Sequence, residues 1–299
     1  MREFPTVDLS RSDPAEVDRV CRDTGFLAIV GHEFPQTLID EMWQVTRGFF
    51  DLPLERKMRV AIPSPGSLYG YAPFAEEALA QSMDETDGHT PPDLKETFSI
   101  GPAESWAGGE FPTLWPDEPE NLQEIFRRYF EEMGALAARI MSMFATALGL
   151  PEDFFAAKID RHASALRVLN YQALDRNPRP EQLRAGAHSD YGSVTILLAE
   201  AGSRGLQIRN PSGGWQPVPI EEGALIVNVG DLLARWSNDR WVSTVHRVTC
   251  ESSRRQSIAF FHLPNWDAEI ACIPGETPRY APVIAGEHLM RKFGKAVKL

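Results

Sequence analysis

Cysteine is scarce: Cys21, Cys250 and Cys272 are odd in number, far apart and without a C-x-x-C pair. Neither a disulfide framework nor a thiolate zinc site is expected from them, and buried thiols in a reducing compartment are. Long apolar runs are missing too. No stretch of about 18 apolar residues occurs, so no membrane-spanning helix is expected. The opening MREFPTVDLSRSDPAEVDR has neither the apolar segment nor the cleavage site of a secretory signal. Basic residues are outnumbered, 30 against 42 acidic ones, for a net charge of −12. That balance argues against nucleic acid and anionic membrane as partners, since both recruit a basic face. With 43% hydrophobic and 24% charged residues, what is left is a cytoplasmic globular chain able to bury a large core.

Helical periodicity is strong in three places. AEVDRVCRDTG, after the Asp13-Pro14 step, reads as a first helix ending near Gly25. QTLIDEMWQVTRGFFDLP carries Leu38, Ile39, Met42, Trp43, Val45, Phe49 and Phe50 at helical spacing and stops at Pro53. NLQEIFRRYFEEMGALAARIMSMFATALGLP is the longest signal, a core-packing spine over 120–148 that Gly149 and Pro151 end. Between the second and third helices, from Ala61 to Pro116, the pattern dissolves into Gly, Pro and charge. This segment reads as loop, with a lid from about Ser64 to Gly101. Tyr69, Tyr71, Phe74 and Phe98 are its candidate substrate-facing aromatics; packing of the loop onto the core is the alternative for each. After Phe155, short β-type runs follow one another between turns: SALRVLNYQ, AHSDYGSVTILLAE, GLQIRN, GALIVNVGD, RWVSTVHRVTC and QSIAFFHLP. Strands this closely spaced indicate a sandwich or barrel. A loop and a short final helix, EHLMRKFGKAVK, end the chain.

Only one of the seven histidines stands in an H-x-D pattern, His188-Ser189-Asp190. Residues i and i+2 of a strand share a face, so the imidazole and the carboxylate are expected to project together. His246, on a later strand, supplies a third ligand. Two histidines and one carboxylate leave adjacent coordination positions open, which suits a non-haem Fe(II) that must take both a substrate and O2. His32, His89, His162, His262 and His288 have no such neighbour and read as structural or exposed. Arg255 and Ser257 follow on one strand face. A guanidinium grips a carboxylate bidentately and a hydroxyl adds a further bond, which suits the far carboxylate of a dicarboxylic cosubstrate. Arg254 does not share that face. The R-x-S at Arg235/Ser237 falls in a helix or turn, so both are set aside.

The order H-x-D, lone His, R-x-S resembles the isopenicillin N synthase-like Fe(II)/2-oxoglutarate-dependent oxygenases, in particular bacterial members, and the resemblance covers most of the chain. FPTVDLS and GFLAIVGHEFP are similar to that family's N-terminal segment, with Gly31-His32-Glu33 where N-H-G or G-H-G is usual. PPDLKETFSIGP is similar to its bacterial members, and LRVLNYQ resembles its R-x-x-x-Y-P strand, with Gln172 in place of the proline. RAGAHSDYGSVTILL, NVGDLLARWSNDRWVSTVHRV and RRQSIAFFHLPN resemble its core. The resemblance implies a mainly β fold with flanking helices around a double-stranded β-helix (jelly-roll) core. Its parts are an N-terminal non-haem dioxygenase region at 4–104 and the core at 161–267. The spine helix 120–148 joins them into one compact unit, with a tail at 274–299.

It further implies that His188, Asp190 and His246 bind Fe(II), and that Arg255 and Ser257 bind the C5 carboxylate of 2-oxoglutarate. Tyr171 is implied as a hydrogen-bonding partner of the cosubstrate, with Asn170 helping. The implied reaction oxidises a small-molecule substrate with O2 by hydroxylation, desaturation or ring formation, releasing succinate and CO2. Tyr191, beside the triad, and Phe261, beyond the Arg-x-Ser pair, join Tyr69, Tyr71 and Phe98 as candidates for the substrate wall, with packing again the alternative. Two other readings stay open: an iron oxidase of the same fold that does not use 2-oxoglutarate, and a non-catalytic jelly-roll binding protein, which the intact triad disfavours. A hydrolytic zinc site would want a general base beside the metal, and the sequence nominates none. The primary substrate and the oligomeric state stay open as well.

Overall fold

Val194, Ile196 and Leu198 alternate with Thr195, Leu197 and Ala199, and in the computed structural model this period of two splits them between the two sides of a sheet. The structure describes residues 4–64, 67–82, 91–102, 113–174, 178–179 and 182–297. Its strands are β1 (Thr6–Asp8), β2 (Phe26–Val30), β3 (Gly70–Ala72), β4 (Glu96–Ile100), β5 (Ala165–Tyr171), β6 (Ala185–His188), β7 (Val194–Ala199), β8 (Leu206–Arg209), β9 (Trp215–Pro217), β10 (Leu225–Val229), β11 (His246–Val248), β12 (Arg255–His262), β13 (Glu269–Ile270) and β14 (Val283–Ile284). The helices are α1 (Pro14–Asp23), α2 (Gln36–Phe50), α3 (Leu54–Lys57), α4 (Leu122–Ala147), α5 (Ala156–Ile159), α6 (Asp231–Trp236) and α7 (Ala285–Val297).

The large sheet has the order β1-β2-β10-β7-β12-β5-β4-β3, and a smaller one has the order β6-β11-β8-β9. The architecture is mainly β, a jelly-roll core with flanking helices. One side of the large sheet meets the helices. Leu166, Val168, Ile196, Ile258 and Phe260 pack there against the buried stripe of α4, among them Phe126, Phe130 and Ile140. The other side, with Phe26, Leu169, Tyr171, Ile226 and Ala259, closes with Ala185, Leu206, Ile208 and Val248 of the small sheet around the interior. Burying a side chain of this size contributes about 1.5–3 kcal/mol, so both sides are strongly specified.

α1 starts as its sequence dictates: the Asp13 side chain accepts from the Ala15 N–H and Pro14 takes the first turn. It ends at Gly25, whose φ of +61° suits glycine; a Cβ there would lie 2.0 Å from the Val242 carbonyl oxygen. The segment from Ala61 to Pro116, expected as loop, contains β3 and β4. β4 pairs along its whole length with β5 and β3 pairs with β4. Every residue of β4 is buried, Glu96 and Ser99 included, and its alternation, Thr97 to Ile100, is only four residues long in a stretch rich in Gly, Pro and charge. No helix among the described residues is long and apolar enough to cross a membrane.

Candidate active site

His188 ends β6, His246 begins β11, and the two strands pair with these residues opposite each other. Their ring centroids stand 4.3 Å apart. Asp190 lies just past the end of β6 rather than on it. The turn that carries it is clamped by the start of α6. The Asp231 N–H donates to the Asp190 carbonyl (2.7 Å), Gly230 N–H to Ser193 (2.9 Å) and Leu232 N–H to Gly192 (3.0 Å). Approach this close needs glycine: a Cβ on Gly230 would sit 2.2 Å from the Gly192 oxygen, and one on Gly192 2.5 Å from the His262 oxygen. The motifs H-S-D-Y-G and N-V-G-D thus form one device that turns Asp190 back onto the histidine pair.

Asp190 Oδ1 lies 3.8 Å from Nε2 of each histidine, and one ligand atom from each residue falls within 4.8 Å of the others. The remaining polar atoms are engaged. His188 Nδ1–H donates to the Gly186 carbonyl (2.7 Å) and His246 Nδ1–H to the Thr244 carbonyl (3.1 Å). A carbonyl can only accept, so both imidazoles carry a proton on Nδ1 and turn Nε2 inward as the ligand atom. Asp190 Oδ2 accepts from Thr195 Oγ1 (2.6 Å) and Asn228 Nδ2 (2.8 Å), which leaves Oδ1 open. Burial, reinforced by His246, pushes His188 down to about 4, so it is neutral near pH 7. Burial pushes Asp190 up, but the two imidazoles and the Thr195 and Asn228 bonds outweigh it and hold the carboxyl below its usual range. Two imidazoles and one carboxylate, converging with their other polar atoms occupied, fit an Fe(II) ion with open positions. Among the described residues no other group of His, Cys, Asp and Glu converges this way.

Arg255 begins β12 opposite Tyr171, the last residue of β5, and its guanidinium lies 4.2 Å from the centroid of the Tyr171 ring. It is buried, and its Nε and Nη2 find no hydrogen-bond partner among the described residues. Ser257 follows on the same face. Arg255, Ser257, Tyr171 and the triad line one cavity of about 790 Å³. A buried unsatisfied donor costs about 1–3 kcal/mol, so two on one guanidinium fit an anionic ligand such as a carboxylate.

Tyr69, Tyr191 and Phe261 also line this cavity. Tyr71 borders it, but its ring packs on Phe49 (5.9 Å) and its hydroxyl donates to Glu96 (2.5 Å). Two expectations need correction. Phe98 does not reach the cavity and packs on Phe49 (4.9 Å) and Phe126 (5.6 Å) on the helix side. Asn170 turns away from the cosubstrate end because neighbours on a strand face opposite sides; it donates to Glu96 (2.7 Å) and accepts from Gln256 (3.0 Å). Phe74 is 37% exposed and does not line the cavity. Arg254 pairs with Asp51 (2.6 Å) on the surface, and Arg235 lies over the Tyr280 ring (4.5 Å), both away from the cavity. His89 lies outside the described residues.

Sequence reasoning missed Thr195 and Asn228, whose only signal is their place in strands beside the triad motif. It also missed a polar wall of the same cavity. Arg167 donates to Ser99 (2.8 Å) and Glu77 (3.2 Å), and Lys95 pairs with Glu77 (3.4 Å) and Asp93 (2.6 Å). Leu289 and Phe293 of α7 line the cavity as well, and Lys292 pairs with Asp231 (2.8 Å) next to the triad turn.

Comparison with known proteins matches residues 163–264 to the 2OG-Fe(II) oxygenase superfamily and residues 4–118 to the non-haem dioxygenase in morphine synthesis N-terminal region. The 2-oxoglutarate-dependent dioxygenase tropC of Talaromyces stipitatus is 34% identical, over 96% of this chain and 93% of the relative. A homoarginine-6-hydroxylase of Oryza sativa is 30% identical, over 92% and 87%. The crystal structure of a full-length Neurospora crassa protein in complex with alpha-KG and thymine has a TM-score of 0.86 and 29% identity, covering 97% of this chain and 96% of that one.

Proposed function

The chain belongs to the 2OG-Fe(II) oxygenase superfamily, and on that premise we propose that His188, Asp190 and His246 hold the iron, that Arg255 and Ser257 beside Tyr171 seat the distal carboxylate of 2-oxoglutarate, and that a small-molecule substrate enters the cavity they share. The protein is a non-haem dioxygenase with Fe(II), 2-oxoglutarate and O2 as cofactors. Together these supply the oxidant, with succinate and CO2 as coproducts.

The chain's own part is placement and exclusion of water. The Gly186 and Thr244 carbonyls fix the imidazole protons on Nδ1, so both Nε2 atoms are ready as ligands. Thr195 and Asn228 hold Asp190 Oδ2, so Oδ1 alone is offered. Arg255 carries the observation on which the cosubstrate reading rests: unpaired buried donors on the same cavity wall as a ligand-ready triad. A carboxylate there would make charge-assisted bonds, the strong kind, with the Ser257 hydroxyl alongside. Leu197, Leu206, Val248 and Ala259 keep the surroundings apolar.

Tyr69, Tyr191 and Phe261 form the proposed substrate wall, and the Arg167–Glu77 pair offers a polar anchor to a compact substrate with a charged or hydrogen-bonding end. Homoarginine and thymine, named for the relatives above, are molecules of that kind. The three cysteines are free, which suits a reducing cytoplasm.

The test is succinate release on mixing with Fe(II), 2-oxoglutarate and O2, alongside iron content. Asp190→Ala and His188→Ala are expected to lose bound iron and succinate formation together. Full iron loading in either variant would overturn the ligand assignment, and an iron-loaded wild type that leaves 2-oxoglutarate intact with every substrate offered would overturn the cosubstrate assignment.

A further inference from the structure

Arg184 leads into β6 in the stretch R-A-G-A-H and is fully buried. Its Nη2 shares its two hydrogens among three carbonyls: Gln172 (3.0 Å), Ser253 (2.8 Å) and Glu251. Its Nε and Nη1 have no hydrogen-bond partner among the described residues. The guanidinium stands 5.5 Å from the centroid of the Tyr171 ring, the ring that Arg255 covers at 4.2 Å. Two buried guanidinium groups therefore share one aromatic side chain, and each has two unpaired nitrogens.

The other buried lysine and arginine side chains among the described residues are paired: Lys57 with Glu96 (2.7 Å) and Lys95 with Asp93 (2.6 Å). Arg184 and Arg255 have no carboxylate in ion-pair contact among the described residues; Glu251 attracts Arg184 only from beyond contact distance. Burial pushes Arg184 below its ordinary value, and the charge of Arg255 pushes the same way. Like charges held this close away from water repel, so an anion entering beside them relieves the strain on both. The three carbonyl bonds also have a positional consequence. Gln172 follows Tyr171, and Glu251 and Ser253 lie in the turn that feeds Arg255, so one side chain ties both flanks of the carboxylate seat together.

We propose that Arg184 is a positioning residue for the distal carboxylate of 2-oxoglutarate: it holds Tyr171 and Arg255 in place from behind and adds a second positive charge that favours a dicarboxylic over a monocarboxylic 2-oxo acid. It does not line the cavity, so it acts through the other two. The proposal rests on Arg255 being the primary seat.

The test compares anaerobic binding of 2-oxoglutarate and of pyruvate to the Fe(II)-loaded protein, read from the visible absorption of the iron chelate. Pyruvate has the chelating 2-oxo acid but lacks the distal carboxylate. Arg184→Gln, which loses the charge and keeps an amide donor, is expected to weaken 2-oxoglutarate about tenfold and pyruvate less than about twofold. Arg184→Lys, which keeps the charge, is expected to recover most of the preference. Unchanged 2-oxoglutarate binding in Arg184→Gln, equal losses for both acids, or no recovery in Arg184→Lys would overturn the proposal. Should Arg184→Gln fail to fold, Arg184→Lys decides it: preference within about threefold of wild type supports the proposal and loss of preference contradicts it. Arg255→Met serves as the reference. If that variant binds both acids like wild type, the underlying seat is wrong, an outcome distinct from failure of the Arg184 variants alone.

Discussion

Asn170 and Tyr171 are neighbours on β5, yet they face opposite electrostatic situations. Asn170 faces the helices and donates to Glu96, which also accepts from Gln172 (2.9 Å), Lys57 (2.7 Å) and Tyr71 (2.5 Å). That buried carboxylate is balanced by a cation and fully bonded. Tyr171 faces the interior between Arg255 and Arg184, two buried cations with nitrogens unpaired and no carboxylate in ion-pair contact among the described residues. The first arrangement is complete without help. The second has no completing carboxylate among the described residues and fits the proposed distal carboxylate of 2-oxoglutarate. A balanced buried network marks structure, whereas an unbalanced one beside a cavity marks a ligand.

Changes on the two sides are therefore expected to separate stability from binding. Glu96→Ala strands Lys57 in the interior and is expected to destabilise the fold by about 3–5 kcal/mol, checked by denaturant unfolding. Arg255→Ala is expected to raise the 2-oxoglutarate requirement about a hundredfold while leaving unfolding nearly unchanged. Asn170→Ala is expected to do the reverse, lowering stability with 2-oxoglutarate affinity retained; an affinity loss matching Arg255→Ala would erase the distinction between the sides. Asn228→Ala frees Asp190 Oδ2 and is expected to weaken iron binding about tenfold, measured by competition with a chelator.

The two sides also differ in how pH acts on stability. Burial, with His162 adding to it, holds His262 down to about 3, and burial holds His288 down to about 4, both from an ordinary 6.5. The unfolded chain takes up protons below about 6.5 that the folded chain refuses, so stability should be level above that pH and fall as pH drops toward the folded values. The slope is at most about 1.4 kcal/mol per pH unit for each histidine. His262→Asn should flatten it, which melts between neutral and mildly acidic pH would show.

How much is legible in the sequence follows the range of the interactions. H-S-D and R-Q-S are local patterns, so His188, Asp190, Arg255 and Ser257 can be picked out, although Asp190 reaches its place through a glycine-clamped turn rather than along a strand. The sandwich-or-barrel reading comes from regular strand spacing and the long helix from its stripe. β3 and β4 read as loop because β4 is buried on both sides and carries Glu96 inside. Asn170 is misplaced by the family resemblance, although strand periodicity already sets it opposite Tyr171. Gln172, the departure from the family's proline, shows its use only in three dimensions, where its amide reaches Glu96 and its carbonyl accepts from Arg184. Arg184 and the Arg167–Glu77 pair depend on partners far away in the chain, which no local pattern reports.

The most direct test of the central claim is an anaerobic titration of the Fe(II)-loaded protein with 2-oxoglutarate, followed by the visible absorption of the chelate. The wild type is expected to give a band that saturates with its iron content, and Asp190→Ala to give none. A wild type that holds iron yet gives no band, or an Asp190→Ala variant that gives the full band, would contradict it.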